Sequence, residues 1–221
     1  MDATKLTVIN NGIVLEEYES GLLFGTDALL LSRFVKGGSK RLGVDIGCGS
    51  GSISLLLLSE NKAAKITGIE IQKKYAELAQ RNAARNGFSE RFNVICGDAH
   101  NYKRLFDAES ADFVVSNPPF MKSNGGKLND NIEKAIARHE EYLPADTLCK
   151  AAAYCLKYGG SFHAVYRPER ICTLICALKD QNLEPKNIRY IIGGNGSTPS
   201  LVLVEAKKGG AEGVITTFEK I

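Results

Sequence analysis

The chain has 221 residues, 44% hydrophobic and 24% charged, which suffices for one sizeable core and excludes a disordered or fibrous polymer. No run of roughly eighteen uncharged apolar residues occurs, and the N-terminus lacks the basic and apolar regions of a signal peptide, so a cytoplasmic protein with no membrane association is expected. A net charge of +3 does not by itself imply nucleic acid, and the six cysteines, without a CxxC pair or zinc-like histidine spacing, read as small buried apolar groups rather than disulfides or metal ligands.

In chain order, Leu6, Val8, Ile13 and Leu15 flank Asn10-Asn11-Gly12, a hairpin signal. Ala28 to Val35 then reads as a helix with Leu29, Leu30 and Phe34 on one face, capped by Thr26 or Asp27. From Lys40 onward strands and helices alternate. Strands are expected at 42–46, 65–71, 92–96, 111–116 and 160–166, and helices from Ser52, over 73–86, over 145–158 and over 169–182. Two further strands, 189–192 and 201–206, lack a long helix between them and are expected to pair antiparallel. This pattern predicts a single α/β domain: a hairpin and capping helix over 1–39, then a core over 40–221 with a mostly parallel, seven-stranded, Rossmann-like sheet ending in an antiparallel strand.

Chemistry concentrates at the expected carboxyl ends of the strands, where open α/β sheets bind ligands. The stretch Asp45-Ile46-Gly47-Cys48-Gly49-Ser50-Gly51 is a strand turning tightly into a helix, with glycines that permit positive φ and close ligand approach. A dinucleotide fingerprint would place its third glycine at Ser52, and Asp45 would repel a pyrophosphate while attracting an ammonium or sulfonium group. The turn resembles the first motif of class I S-adenosylmethionine (SAM) methyltransferases, DxGxGxG, without a gap. Glu70 follows about twenty residues later, where a carboxylate can accept ribose hydroxyls, a feature equally suited to NAD and SAM. Asp98 ends the third strand and can accept from an adenine amino group.

Asn117-Pro118-Pro119-Phe120 leaves the fourth strand. Consecutive prolines cannot continue a ladder and fix a rigid, extended exit. There the Asn117 amide oxygen and the Pro118 carbonyl can each accept one N–H of a planar amine, while Phe120 stacks on the ring bearing it. The tetrapeptide looks like the [DNS]PP[YFW] motif of amino methyltransferases acting on adenine N6, cytosine N4 or protein glutamine N5.

Together with Phe24-Gly25-Thr26-Asp27, Ala28 to Leu31, Ala137-Arg138-His139-Glu140, and Leu203-Val204-Glu205 to Lys207-Lys208-Gly209, these motifs are similar to the bacterial tRNA1(Val) adenine-37 N6-methyltransferase family over nearly the whole chain. That resemblance implies SAM as cofactor and tRNA as substrate. It implies a cofactor site from Phe24, Thr26, Asp27, Asp45, Gly47, Cys48, Gly49, Gly51, Glu70, Ile71, Asp98, Ala99 and Asn117, and a target pocket from Asn117, Pro118, Pro119 and Phe120. Lys122, Lys127, Lys134, Arg138, Lys207 and Lys208 are candidates for RNA phosphates. No obligate protein partner is indicated. Protein glutamine N5-methylation, another DNA or ribosomal RNA amino methylation, and a catalytically silent RNA-binding protein are the alternatives.

Overall fold

The computed structural model describes residues 3–21, 23–118, 143–194 and 196–221. Strands β1 (Thr4–Val8) and β2 (Val14–Tyr18) form the expected antiparallel hairpin. Its turn depends on Asn11 and Gly12, both at positive φ (59° and 71°), a conformation that Asn and Gly adopt more readily than other residues. Helix α1 (Thr26–Phe34) follows. Gly25, not Thr26 or Asp27, holds its N-cap position, and no side chain caps it. Thr26 and Asp27 instead form the first turn, where the acid complements the positive end of the helix. Leu30, Leu31 and Phe34 face the core, so the buried stripe is displaced from Leu29.

The main sheet has eight strands, one more than expected: β3 (Leu42–Ile46), β4 (Lys65–Glu70), β5 (Phe92–Cys96), β6 (Ala111–Ser116), β7 (Leu156–Tyr166), β8 (Leu183–Ile192), β9 (Leu201–Lys208) and β10 (Ile215–Lys220). Their order is β10-β8-β9-β7-β6-β3-β4-β5. Strand β9 runs antiparallel to both β7 and β8, as the sequence suggests, and the other pairings are parallel. The additional strand β10 pairs in parallel with the outer edge of β8. Its short Ile-Thr-Thr-Phe pattern becomes a strand only because that edge is open.

Two boundaries also move. Helix α5 (Ala145–Cys155) stops three residues short of Tyr158, because Leu156 turns into extended backbone, enters the core and pairs with Ala111. Strand β8 begins at Leu183 rather than Arg189; Leu183, Pro185, Ile188 and Ile191 are buried, with the register shifted by an irregularity between Pro185 and Asn187.

Helices α2 (Ser52–Ser59) and α3 (Lys73–Arg85) join α1 on one face, burying Leu31, Phe34, Leu55, Leu57, Ala76 and Ala79 together with Ile13 and Leu15 of the hairpin. The short α4 (Tyr102–Leu105), α5 and α6 (Ile171–Asp180) cover the other face over Val44, Ile46, Val114, Phe162 and Val204. Helix α2 is apolar on nearly every side, with Leu55 to Leu58 at most 1% exposed, as befits a helix enclosed between layers. Among the described residues no helix is long and apolar enough to cross a membrane.

Candidate active site at the carboxyl ends of the strands

The strand order reverses between β3 and β6, and at such a switch point open α/β sheets bind ligands at the carboxyl ends of the strands. Gly47, Gly49 and Gly51 all take positive φ (76°, 54° and 84°). Gly51 has a second constraint: a Cβ there would lie 2.6 Å from the Phe92 ring. A Cβ on Gly49 would meet nothing within 4 Å, so that glycine faces open space. The N–H groups of Gly47 and Cys48 both donate to the Ile69 carbonyl (2.9 and 3.0 Å), anchoring the loop to β4. Cys48 is buried against Gly68, where a Cβ would come within 2.8 Å of its sulfur. Burial, followed by the charges of Asp45 and Glu70, pushes the Cys48 thiol well above its ordinary pKa.

Asp45 departs from expectation. The pleat of β3 sends Val44 and Ile46 to one face and Asp45 to the other, beneath the loop and against α2. Its carboxyl is wholly buried and accepts from Ser54 Oγ at 2.7 Å, while Oδ1 has no partner among the described residues. Burial raises its pKa to about 7, with Glu70 adding to the shift and the Ser54 hydrogen bond opposing it. Instead of an exposed anion facing a sulfonium, Asp45 is a wholly buried carboxyl beneath the loop, its pKa raised to about 7.

Glu70 ends β4. Its Oε2 accepts from Gly49 N (3.0 Å) and its Oε1 from Gln72 N (2.9 Å), and the Ile71 N–H also donates to the carboxylate. Burial raises its pKa against the opposing backbone bonds from Gln72, Gly49 and Ile71. Ile71 is 42% exposed beside it. Asp98 follows β5 and caps the short turn Ala99–Asn101, its Oδ1 accepting from His100 N at 2.9 Å and lying 2.8 Å from His100 Nδ1. Partial burial works to raise the Asp98 pKa, but the hydrogen bonds and charge of His100 outweigh it and hold the carboxyl below its ordinary range. Ala99 is half-buried in that turn.

The end of β6 is tied to the end of β3 by Ser116, whose buried hydroxyl donates to the Ile46 carbonyl at 2.7 Å. Asp45 pairs with Val115, so continuing the register places Asn117 opposite Gly47. Asn117 Oδ1 is shielded from solvent and has no hydrogen-bond partner among the described residues, and Pro118 is buried. Pro119, Phe120, Lys122, Lys127, Lys134 and Arg138 lie outside the described residues, as does Ala137 to Glu140.

Phe24 is half-buried against the α1–α3 core, and its backbone N–H donates to Glu17 Oε1. Glu17, itself buried on β2, also accepts from Thr7 Oγ1 at 2.8 Å and so secures the segment entering α1 to the hairpin. Lys207 and Lys208 are not brought to the carboxyl ends of the parallel strands. Strand β9 runs antiparallel, and Lys207 pairs with Ser161, toward the amino ends of β6 and β7. Lys208 there binds Glu109 Oε1 (3.1 Å) and the Leu156 carbonyl (2.7 Å). An open cavity of about 360 Å³ occupies that same far end, lined by Arg41, Asp112, Lys157 and Tyr158, with Lys157 neutralised by Asp112 at 2.8 Å.

Glu17, Ser116 and Asn82 escape a motif search. Their only sequence signal is a polar residue at a position that strand or helix periodicity assigns to the core, as Asn82 is beside Leu78, Ala79 and Ala83 on α3.

An eight-stranded sheet of this order, with a glycine turn after its first parallel strand and acids after the next two, defines a class I methyltransferase fold. The family description "Methyltransferase small domain" matches residues 20–175. The chain belongs to that family. It is 37% identical over 135 residues to a Porphyromonas gingivalis tRNA1(Val) (adenine(37)-N6)-methyltransferase, covering 58% of this chain and about half (52%) of that relative's length. A Shewanella halifaxensis protein of the same name is 30% identical over 169 residues, covering 76% of this chain and 68% of the relative. Among solved structures, Pyrococcus horikoshii TYW2 in complex with MeSAdo aligns with a TM-score of 0.66 at 15% identity, covering 95% of this chain and 73% of that one.

Proposed function

We propose that this chain is a SAM-dependent methyltransferase acting on the exocyclic N6 of an adenine in tRNA, with A37 of tRNA1(Val) as the target. The observation that carries this is Asn117 Oδ1, a shielded acceptor without a donor among the described residues, just past the end of β6, whose partner β3 runs into the glycine turn. An unsatisfied buried acceptor is costly by about 1–3 kcal/mol, and an incoming amino group relieves it. The names of the curated relatives supply the substrate, and the glycine cradle and strand-end acids supply the fit to SAM.

When bound, SAM supplies a sulfonium-activated methyl group. Glu70, whose carboxylate already accepts from three backbone N–H groups, would use its remaining acceptor capacity for a ribose hydroxyl, Asp98 would accept from the cofactor's adenine amino group, and the glycine loop would permit close backbone approach. The target adenine enters turned out of its stack. Asn117 Oδ1 and the Pro118 carbonyl each accept one N6–H, drawing the nitrogen from planar toward tetrahedral so that its lone pair points at the methyl carbon. The methyl group would be the one SAM supplies, and because the N6 proton would leave to solvent after transfer, the residues around Asn117 would need to supply no charged base. Positioning provides most of the acceleration.

The test supplies methyl-labelled SAM with unmodified total tRNA, and separately with a peptide-release factor, followed by digestion and identification of the labelled product. N6-methyladenosine in tRNA is expected, falling at least about a hundredfold in Asn117→Ala while SAM affinity stays within about threefold. Label recovered as N5-methylglutamine, or absent from both substrates, overturns the assignment.

A further inference from the structure

The outward edge of β2 is not left open. Its backbone is paired by side chains from α3: Asn86 accepts from Val14 N and donates to Val14 O, both at 2.8 Å. Asn82 accepts from Glu16 N at 2.7 Å and donates to Glu16 O at 3.0 Å. Two amides one helical turn apart, about 6 Å along the axis, match the spacing of about 6.7 Å between alternate strand residues, so α3 stands in for a third strand. Arg81 and Arg85 close the arrangement around the Glu16 carboxylate at 3.2 and 3.3 Å.

The two asparagines differ in one respect. The remaining Asn86 donor contact goes to the carbonyl of Asn82 within the helix (2.7 Å), whereas Asn82 donates to the carbonyl of Ser50 at 3.0 Å. Ser50 lies between Gly49 and Gly51 in the turn. Asn82 is fully buried, so its amide is the point at which hairpin, helix and glycine loop meet.

We propose that Asn82 is a positioning residue for the glycine loop, coupling the docked N-terminal hairpin to Ser50 so that hairpin docking and loop geometry respond to one another. This rests on the loop being the SAM site. Without the hairpin, Asn82 is freed to rotate and the Ser50 carbonyl loses its donor. With the hairpin in place, the amide is oriented at three points and the loop, whose glycines allow many conformations, is restricted to one.

The experiment compares Asn82→Ala, Asn82→Asp and Asn86→Ala in the full chain by amide hydrogen exchange without ligand and by SAM affinity. Asn86→Ala should accelerate exchange at Val14 and Asn82→Ala at Glu16. Only Asn82→Ala should also accelerate exchange over residues 49–52, by about tenfold, and weaken SAM by about tenfold, with Asn86→Ala within about twofold of the parent on both. Asn82→Asp keeps the acceptor for Glu16 N and the side-chain volume but offers Ser50 no donor while ionised. Relative to the parent, its loop exchange should therefore be fast at pH 8, as in Asn82→Ala. Equal loop acceleration in the two alanine variants, or none in either Asn82 variant, overturns the proposal. If the parent protein binds no SAM, the cofactor assignment fails while the exchange measurements still decide whether Asn82 positions the loop.

Discussion

Replacing Asp45 by asparagine tests whether a buried carboxyl beneath the glycine loop ties stability to pH. Burial raises the Asp45 pKa from its ordinary 3.8 to about 7, so between those values the native protein holds a proton that the unfolded chain releases. This contribution is therefore fully present at low pH and is lost as pH rises toward and through 7. At about 1.4 kcal/mol for each tenfold change in proton affinity, its ceiling is about 4 kcal/mol. Coupling to Glu70, whose pKa is raised in the same direction, makes about 2–3 kcal/mol the expected size. The amide in Asp45→Asn would resemble the protonated acid, retaining an acceptor for Ser54 Oγ, but would place an N–H₂ donor where Oδ1 now has no partner, at a cost of about 1–2 kcal/mol. Urea unfolding of parent and Asp45→Asn should show the variant less stable at pH 5 and equal or more stable at pH 8.5. His163, held neutral with its pKa lowered to about 3 chiefly by burial, loses its stabilisation as pH falls through its ordinary 6.5, but it does so equally in both proteins and cancels in the difference. A difference constant to within about 0.5 kcal/mol from pH 5 to 8.5 would refute the assignment of a neutral Asp45.

Gly51→Ala should destabilise by about 2–4 kcal/mol in thermal or urea melts, because it combines positive φ with a Cβ 2.6 Å from Phe92, whereas Gly49→Ala should cost about 1 kcal/mol and act mainly by weakening SAM binding. Glu17→Ala removes the acceptor from Phe24 N and Thr7 Oγ1 and should raise the SAM dissociation constant severalfold, with Glu17→Gln, which keeps an acceptor, nearer the parent in the same titration. In native protein a thiol reagent should modify Cys96, Cys172 and Cys176 quickly and Cys48, Cys149 and Cys155 only after denaturation. Rapid modification of Cys48 would contradict its burial against Gly68.

Local chemistry already determined much of this protein in its sequence. The DxGxGxG run requires positive φ at three alternate positions, and the fold supplies it at Gly47, Gly49 and Gly51. Alternating strand and helix periods dictate a mostly parallel sheet, and the placement of Asp45, Glu70, Asp98 and Asn117 at strand ends follows from where each apolar run stops. Tertiary structure alone decided what depends on a neighbour distant in the chain. Asp45 is a buried support rather than an exposed anion because α2 packs over its side of β3. Lys207 and Lys208 lie at the far end of the sheet because β9 runs antiparallel. Strand β10 exists because β8 offers it an edge. Asn82 looks like a flaw in an apolar helix face until the hairpin and Ser50 are brought to it, since a buried amide is stable only where its partners are and those partners come from residues 66 and 32 positions away.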